Sequence, residues 1–386
     1  MPLNAGSKFF GGDAQFTYGI KPFGAKVRPS HHFDATVTDL DLARFTDFEQ
    51  LRALKFAGTA SLHNVLDWPS GRFSEHRGAG RLVVTPPPGM APMTALPRSV
   101  EGAAAGANEA SHDRDRPFAP TPLPAHLPIA GELTYTYGPD DVTLEEGRFV
   151  TEKTHVTFGG TTAYGERSRL PFHVVSSDWQ ESDQVLVGII KDFGGSAHDV
   201  EFGGRGEFDG VMTGAFRNPR VEGTFTGEDL RGFDTLWGSG AARIVVEKSY
   251  VNVTDGVVRL GGSEIRTDGL FSLGYPRDDG GEEINARIRV VRRDVDSLRH
   301  AFGIDDYRVS GLLSGEFHLT GEYERPLGFG SMTLEQGVAY GEPFEKATAA
   351  ARFDGRGADE TGPCGHPDGP TGRRRGDRRA GRVPCL

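Results

Sequence analysis

The feature that most restricts what this chain can fold into is a period-two alternation of apolar and polar residues. Ile284-Asn285-Ala286-Arg287-Ile288-Arg289-Val290 is a clear run, and Tyr250-Val251-Asn252-Val253-Thr254 and Ile265 to Leu273 repeat it. Such alternation is the mark of strands with one buried and one solvated face. Asp255-Gly256, Gly261-Gly262 and Asp268-Gly269 read as turn signals between them. The chain's 54 glycines among 386 residues, without a collagen period, fit many turns and bulges between short strands. Two stretches switch to helical spacing. In 182–193 the apolar set Val185, Leu186, Ile189, Ile190 and Phe193 shares a face and Gly194 ends it; in 294–302, Val295, Leu298 and Phe302 do so, with Asp294 as N-cap and Gly303 as terminator.

These helices disclose a repeat. Phe45, Phe193 and Phe302 stand 148 and 109 positions apart, and the same offsets relate Gly58, Gly206 and Gly315, and again Gly12, Gly160 and Gly269. Pro69, Pro219 and Pro326 follow at nearly that spacing. Each unit reads as a strand pair, a short helix, then several strands around Gly and Pro corners, which must stack on its neighbours to bury an apolar face. The expected fold is all-β and mainly antiparallel: an elongated, curved, solenoid-like sheet forming a groove, with a few short helices.

Two segments stand outside the pattern. Residues 86–128 hold 10 of the 24 prolines around an Ala/Gly-rich middle and read as a disordered insertion, which brings the longer offset close to the shorter. It separates a first unit, 1–85, which starts mid-unit, from the second and third, 129–354. After Asp354 the chain turns into a tail, 355–386, rich in Gly, Pro and Arg, with Arg373-Arg374-Arg375 and both cysteines, Cys364 and Cys385. It reads as unstructured and foreign to the repeat, an out-of-frame or truncated end; the alternative is a basic arm.

The residues exclude more chemistry than they suggest. A net charge of −11 with interspersed signs gives no basic stripe for nucleic acid. Gly204-Arg205-Gly206 lacks the third glycine of a dinucleotide loop, and neither a phosphate loop nor a nucleophile elbow occurs. His31-His32 lacks a second ligand pair and reads as solvated turn. Asp278 to Glu283 lacks the alternating ligand order of a calcium loop and reads as a charged hairpin tip. Asn252-Val253-Thr254 is a glycosylation sequon in which Asn252 alternates outward. No metal, cofactor or catalytic residue is called, and the chain reads as non-enzymatic. It holds no apolar run of membrane-spanning length, and Pro2 to Gly12 is no signal peptide; either the protein is cytosolic or its true start lies upstream.

What the alternation does mark is a surface. Val251, Val253, Val258, Leu260, Phe271, Leu273, Ile284, Ile288, Val290, Phe317 and Leu319 sit at alternating positions, so their side chains share faces of a twisted sheet. In a small sandwich they would be core. Here the units are long and helices few, so little sequence remains to cover such a sheet. Uncovered apolar surface costs about 25 cal/mol per Å² in water, and an acyl chain that buries it gains about 0.8 kcal/mol per CH₂.

Gly206-Glu207-Phe208-Asp209-Gly210-Val211-Met212-Thr213-Gly214-Ala215-Phe216, leading to Pro219-Arg220-Val221-Glu222-Gly223, resembles the repeats of TamB and the wider AsmA-like proteins of the bacterial envelope. Gly315 to Gly330, with Pro326, and Asp294-Val295-Asp296-Ser297-Leu298 resemble them too. The resemblance covers roughly 1–85 and 129–354. It implies a long curved sheet with an apolar concave face, anchored in the inner membrane by an N-terminal helix and crossing the periplasm. It implies phospholipid acyl chains as the partner, a role in outer-membrane assembly or lipid movement between membranes, and in some members an outer-membrane barrel partner. The anchor helix and the C-terminal domain that meets the barrel are missing from this chain, which reads as an internal fragment. Two other functions compete: a surface-displayed β-solenoid adhesin, and a polysaccharide-acting enzyme on a β-helix.

Overall fold

The computed structural model describes residues 3–21, 28–51, 53–90, 123–163, 168–192, 202–215, 218–232, 235–247, 250–272, 283–301, 306–322, 326–355 and 358–360. The chain divides into two compact units, Met1–Val251 and Asn252–Leu386. The first carries β1 (Leu3–Phe9), β2 (Gly12–Ile20), β3 (Ser30–Asp41), α1 (Leu42–Phe48), β4 (Phe56–Ala57), β5 (Thr59–Pro69), β6 (Arg77–Thr85), β7 (Leu127–Pro128), β8 (Ala130–Tyr137), β9 (Asp141–Val150), β10 (Thr154–Ala163), β11 (Arg169–Ser176), α2 (Trp179–Asp192), β12 (Gly203–Ala215), β13 (Asn218–Gly232) and β14 (Thr235–Glu247). Then follow β15 (Tyr250–Leu260), at whose start the division falls, β16 (Ser263–Ser272), β17 (Glu283–Asp294), α3 (Val295–Ala301), β18 (Val309–Glu322), β19 (Pro326–Ala339), β20 (Glu342–Asp354) and β21 (Ala358–Glu360).

The expectation of an all-β, mainly antiparallel fold with few short helices is borne out. In the first unit twelve strands pair in chain order as one antiparallel meander, passing over the two-residue β4 and β7, which pair with each other in parallel. In the second, β16 to β21 do the same. Six long strands lie between α1 and α2, and six between α2 and α3. Each helix interrupts a pair of neighbouring strands and opens on an aspartate. The Asp41, Asp178 and Asp294 carboxylates accept from the Arg44, Gln180 and Asp296 amides at 3.2, 3.1 and 3.3 Å. A side-chain acceptor for these orphan amides stabilises a helix by about 1 kcal/mol. Consecutive repeats of the first unit are also tied together: the Asp192 carboxylate at the end of α2 accepts from the Ala53 and Leu54 amides after α1 at 3.1 and 3.0 Å.

Several sequence readings need correction. Helix α2 begins three residues before the apolar stretch that announced it. The strands are long, up to 15 residues. Asp255-Gly256 and Asp268-Gly269 are not turns but lie inside β15 and β16. Asp255 sits at φ 53, a bulge, and its amide donates to the Asp268 carboxylate at 2.7 Å. Comparable left-handed bulges at Asp39, Glu146, Asp229, Arg292 and Gln336 shift the register of β3, β9, β13, β17 and β19. Each extra residue re-aims the side chains beyond it and sharpens the local twist.

The proline-rich insertion 86–128 does not stay loose to its end. Leu127 is 2% exposed, its amide donates to the Lys55 carbonyl at 2.7 Å, and Asp47 accepts from both Lys55 and His126. The middle of the insertion, 91–122, lies outside the described residues. The tail also starts later than Asp354, because β21 pairs with β20; residues 361–386 lie outside the description, as does the acidic tip at 278–282.

Many glycines prove to be mid-strand rather than at corners. Gly147 faces Phe158 and Gly210 faces Phe172 in register. A Cβ at Gly147 would lie 2.4 Å from the Phe158 ring, and one at Gly210 would lie 2.9 Å from Phe172. The rings lie down over the glycines because no side chain stands there to hold them up. Gly147→Ala is expected to destabilise the chain by about 1–3 kcal/mol, the usual cost of overpacking. Gly19→Ala, in open space within β2, should stay within about 0.5 kcal/mol. Urea unfolding of the two variants checks this.

Candidate functional site

The registers sort the side chains of each unit onto two faces. In the second unit Phe271 faces Ile284, Ala286 faces Leu319, Ile288 faces Phe317 and Val290 faces Gly315. Phe317 then faces Gly330, and Gly328 faces Phe353. The opposite face carries Asp268 against Arg287, Arg266 against Arg289 and Arg289 against Glu316. Six of the residues expected to line a groove, Phe271, Ile284, Ile288, Val290, Phe317 and Leu319, are therefore on one face. Val253 joins them across the Asp255 bulge: Gly256 lies against Thr267, which faces Ile288, and against Val253. The bulge lets Val251 and Val253 before it and Val258 and Leu260 after it project to the same side despite their opposite parity. Leu273 lies outside the described residues. Asn252 projects to solvent, as alternation requires.

The first unit builds an apolar face of the same kind, where the sequence reading named only Val251, at its boundary. Ala14 faces Val37, Val37 faces Leu62, Leu62 faces Leu82 and Leu82 faces Leu133. Further along, Val156 faces Val174, Val174 faces Phe208, and Phe208 faces Phe225. Three diagonal ring pairs stack on it: Phe16 on Phe33, Phe149 on Phe158 and Phe172 on Phe208, with centroids 5.9, 5.8 and 5.7 Å apart. The period-two runs Phe16-x-Tyr18 and Phe33-x-Ala35-x-Val37 carried the signal.

Helices cover only one end of this face. Leu42 and Phe45 of α1 pack on the cluster of Ala14, Val37, Leu40, Ala60 and Val84. Trp179 of α2 lies 5.3 Å from Phe225. There the face becomes polar and closed: the buried Glu181 carboxylate accepts from the Thr151 hydroxyl, from Thr154 Oγ1 at 3.0 Å and from the Lys153 amide at 3.3 Å. Among the described residues the strands meet closely only their hydrogen-bonded neighbours, away from the helices. On the apolar face of the second unit Ile284 and Val290 are buried, and Phe271, Ile288, Phe317 and Leu319 are half-buried.

The other face is charged and ion-paired. Glu132 bridges Arg81 and Arg148 at 3.1 and 3.5 Å, and Asp209 meets His173 at 2.7 Å. Exposed pairs like these contribute about 0.2–1 kcal/mol each and do not hold the sheet together. An open concavity of 1370 Å³ spans this face from Arg81 to Arg243. The resemblance implies that the concave side is the apolar one; in this unit a hollow lies on the charged side. A twisted sheet is saddle-shaped, so each face is hollow along one diagonal.

His31 and His32 are not in a turn. Both belong to β3, His31 stacking on Trp68 and His32 pairing with Asp67 at 2.9 Å. No metal-binding group of three or more His, Cys, Asp or Glu forms among the described residues, and no described helix is long and apolar enough to cross a membrane. Compared with known proteins, the chain matches no family model, no curated protein and no solved structure.

One histidine gives the charged face a pH dependence. Burial, with Arg148 and His173 nearby, holds His155 below its ordinary 6.5. The unfolded chain then binds the proton more readily, so stability declines as pH falls through about 6.5. His155→Gln should flatten that decline in urea titrations between about pH 7 and 5.

Proposed function

We propose that this chain is a non-enzymatic scaffold of the cell envelope, of TamB or AsmA-like type, whose apolar sheet face carries phospholipid acyl chains. In the full-length protein this work takes place in the periplasm, between an inner-membrane anchor and the outer membrane, where a barrel protein is a candidate partner. The observation that carries the reading is the apolar face itself. It runs through strand after strand of each unit, while the reverse face is mixed, with ion pairs and also the exposed Leu270, Leu327 and Phe329. Water makes such a face costly, at about 25 cal/mol per Å², and a molecule with long hydrocarbon chains removes that cost. The aliphatic and phenylalanine stretch of that face carries few charged side chains, which disfavours an ionic or sugar ligand as its main occupant. An adhesin would present its specificity on the charged face, and a polysaccharide enzyme would gather carboxylates there; Glu132, Asp209 and Glu316 of that face are instead held in cross-strand pairs.

The purified protein should yield phospholipid on extraction with organic solvent. Phe271→Glu with Phe317→Glu, which put carboxylates on the apolar face, should lose most of it, whereas Thr320→Glu on the reverse face should keep it. A lipid-free wild type, or folded charged variants that carry as much lipid as wild type, would sink the proposal.

A further inference from the structure

One part of the apolar face in the first unit differs from the rest. At the strand ends farthest from α1, the aliphatic and phenylalanine side chains give way to rings with polar tips. Tyr18 stacks on His31 with centroids 5.8 Å apart, and His31 on Trp68 at 5.0 Å with planes 9° apart. Trp68 meets Phe73 edge-on at 5.6 Å, Phe73 stacks on His76 at 4.9 Å, and His76 and Tyr135 flank Tyr137 at 6.0 Å. The row therefore crosses β2, β3, β5, the short turn Phe73–Glu75 and β8 without a break.

It is a built surface. Gly78 and Gly80 of β6 face Tyr137 and Tyr135 in register. A Cβ at these glycines would fall 2.1 Å from the Tyr137 ring and 2.4 Å from the Tyr135 hydroxyl, so only glycine lets both rings lie flat. Their hydroxyls are fixed through one amide: Tyr135 donates to Asn64 Oδ1 and Asn64 Nδ2 donates to the Tyr137 hydroxyl, both at 3.0 Å. The Tyr18 hydroxyl is fixed on His31 Nδ1. Just beyond the row, Ile20 opposite His31 is 40% exposed on the row's face, while Lys21, opposite Ser30, alternates to the reverse face. Toward the helices, the same strands present Leu62, Leu82 and Leu133. Trp68 to Leu62 is about 20 Å along β5 at the usual rise.

Apolar side chains, then aromatic rings with polar tips, is the order in which a phospholipid changes from chain to glycerol ester. Tyr, Trp and His have an apolar body and a polar end and suit that boundary. We propose that this aromatic row is the site of the glycerol and headgroup region of a bound phospholipid, whose acyl chains lie on the apolar face toward α1. The proposal rests on the acyl-chain reading above and adds the orientation of the lipid. A sugar ring stacked on the row is the competing occupant, disfavoured because hydrocarbon side chains border the row.

The test uses Trp68 as its own reporter, in a chain with Trp179→Phe and Trp237→Phe. The probes are phosphatidylcholines brominated either near the carboxyl end or near the methyl end of the acyl chain. Trp68 emission should be quenched more by the first. A second chain with Trp68→Phe and Leu133→Trp in that background should be quenched more by the methyl-end lipid. If Leu133→Trp is quenched while Trp68 is not, or Trp68 responds only to a soluble oligosaccharide, the orientation is wrong though lipid is bound. If neither chain is quenched, both readings fall. Should the background fail to fold, the difference between wild type and Trp68→Phe reads the same quantity.

Discussion

Everything in this fold follows from having one layer of sheet where most β proteins have two. A sandwich buries the apolar face of one sheet against the other, with side chains standing upright between them. Among the described residues no opposing sheet is seen along most of the face, so the side chains reduce their own exposure by lying down. Aromatic rings do this best, and they need a neighbour without a Cβ. Phe158 over Gly147, Phe172 beside Gly210, Phe317 facing Gly330, and Tyr137 and Tyr135 over Gly78 and Gly80 are one device used repeatedly. It covers backbone with ring, and it explains why a chain with 54 glycines and 25 phenylalanines forms long regular strands rather than a collection of turns.

The remaining elements serve that layer. Helices α1 and α2 close one end of the face, each of the three helices is set by an aspartate cap, and α2 is also held by Asp192 reaching back to the loop after α1. The bulges lie in the strands rather than at their corners, and those at Asp39, Arg292 and Asp229 fall close to where a helix begins or packs. They supply the added twist that a single sheet needs to wrap toward a helix. The charged face contributes solubility and register more than stability, since its pairs are mostly exposed.

Much of this was legible in the residues, and what was hidden had local causes. Alternation grouped Ile284 with Ile288 and Phe317 with Leu319 within their strands, and the register of β17 on β18 brings the two sets to one face. The grouping of Val253 with Val258 holds only because Asp255 takes a left-handed bulge, and an Asp-Gly pair inside a strand is indistinguishable by composition from one in a hairpin. The first unit's apolar face escaped notice because Gly78, Gly80 and Asn64 interrupt its alternation at the positions where the tyrosines lie. Leu127 was hidden by the prolines around it, although it is among the most buried residues of the chain.

The central claim is that the apolar face is open to whatever binds it. It is tested most directly by single-cysteine labelling in the background Cys364→Ser and Cys385→Ser. With lipid stripped by detergent, Ile288→Cys and Phe317→Cys should react with an uncharged thiol reagent about as fast as Thr320→Cys on the charged face. Added phospholipid should then slow the first two and leave the third unchanged. If Ile288→Cys and Phe317→Cys react only after unfolding, with or without lipid, the face is already covered by protein and the account is wrong.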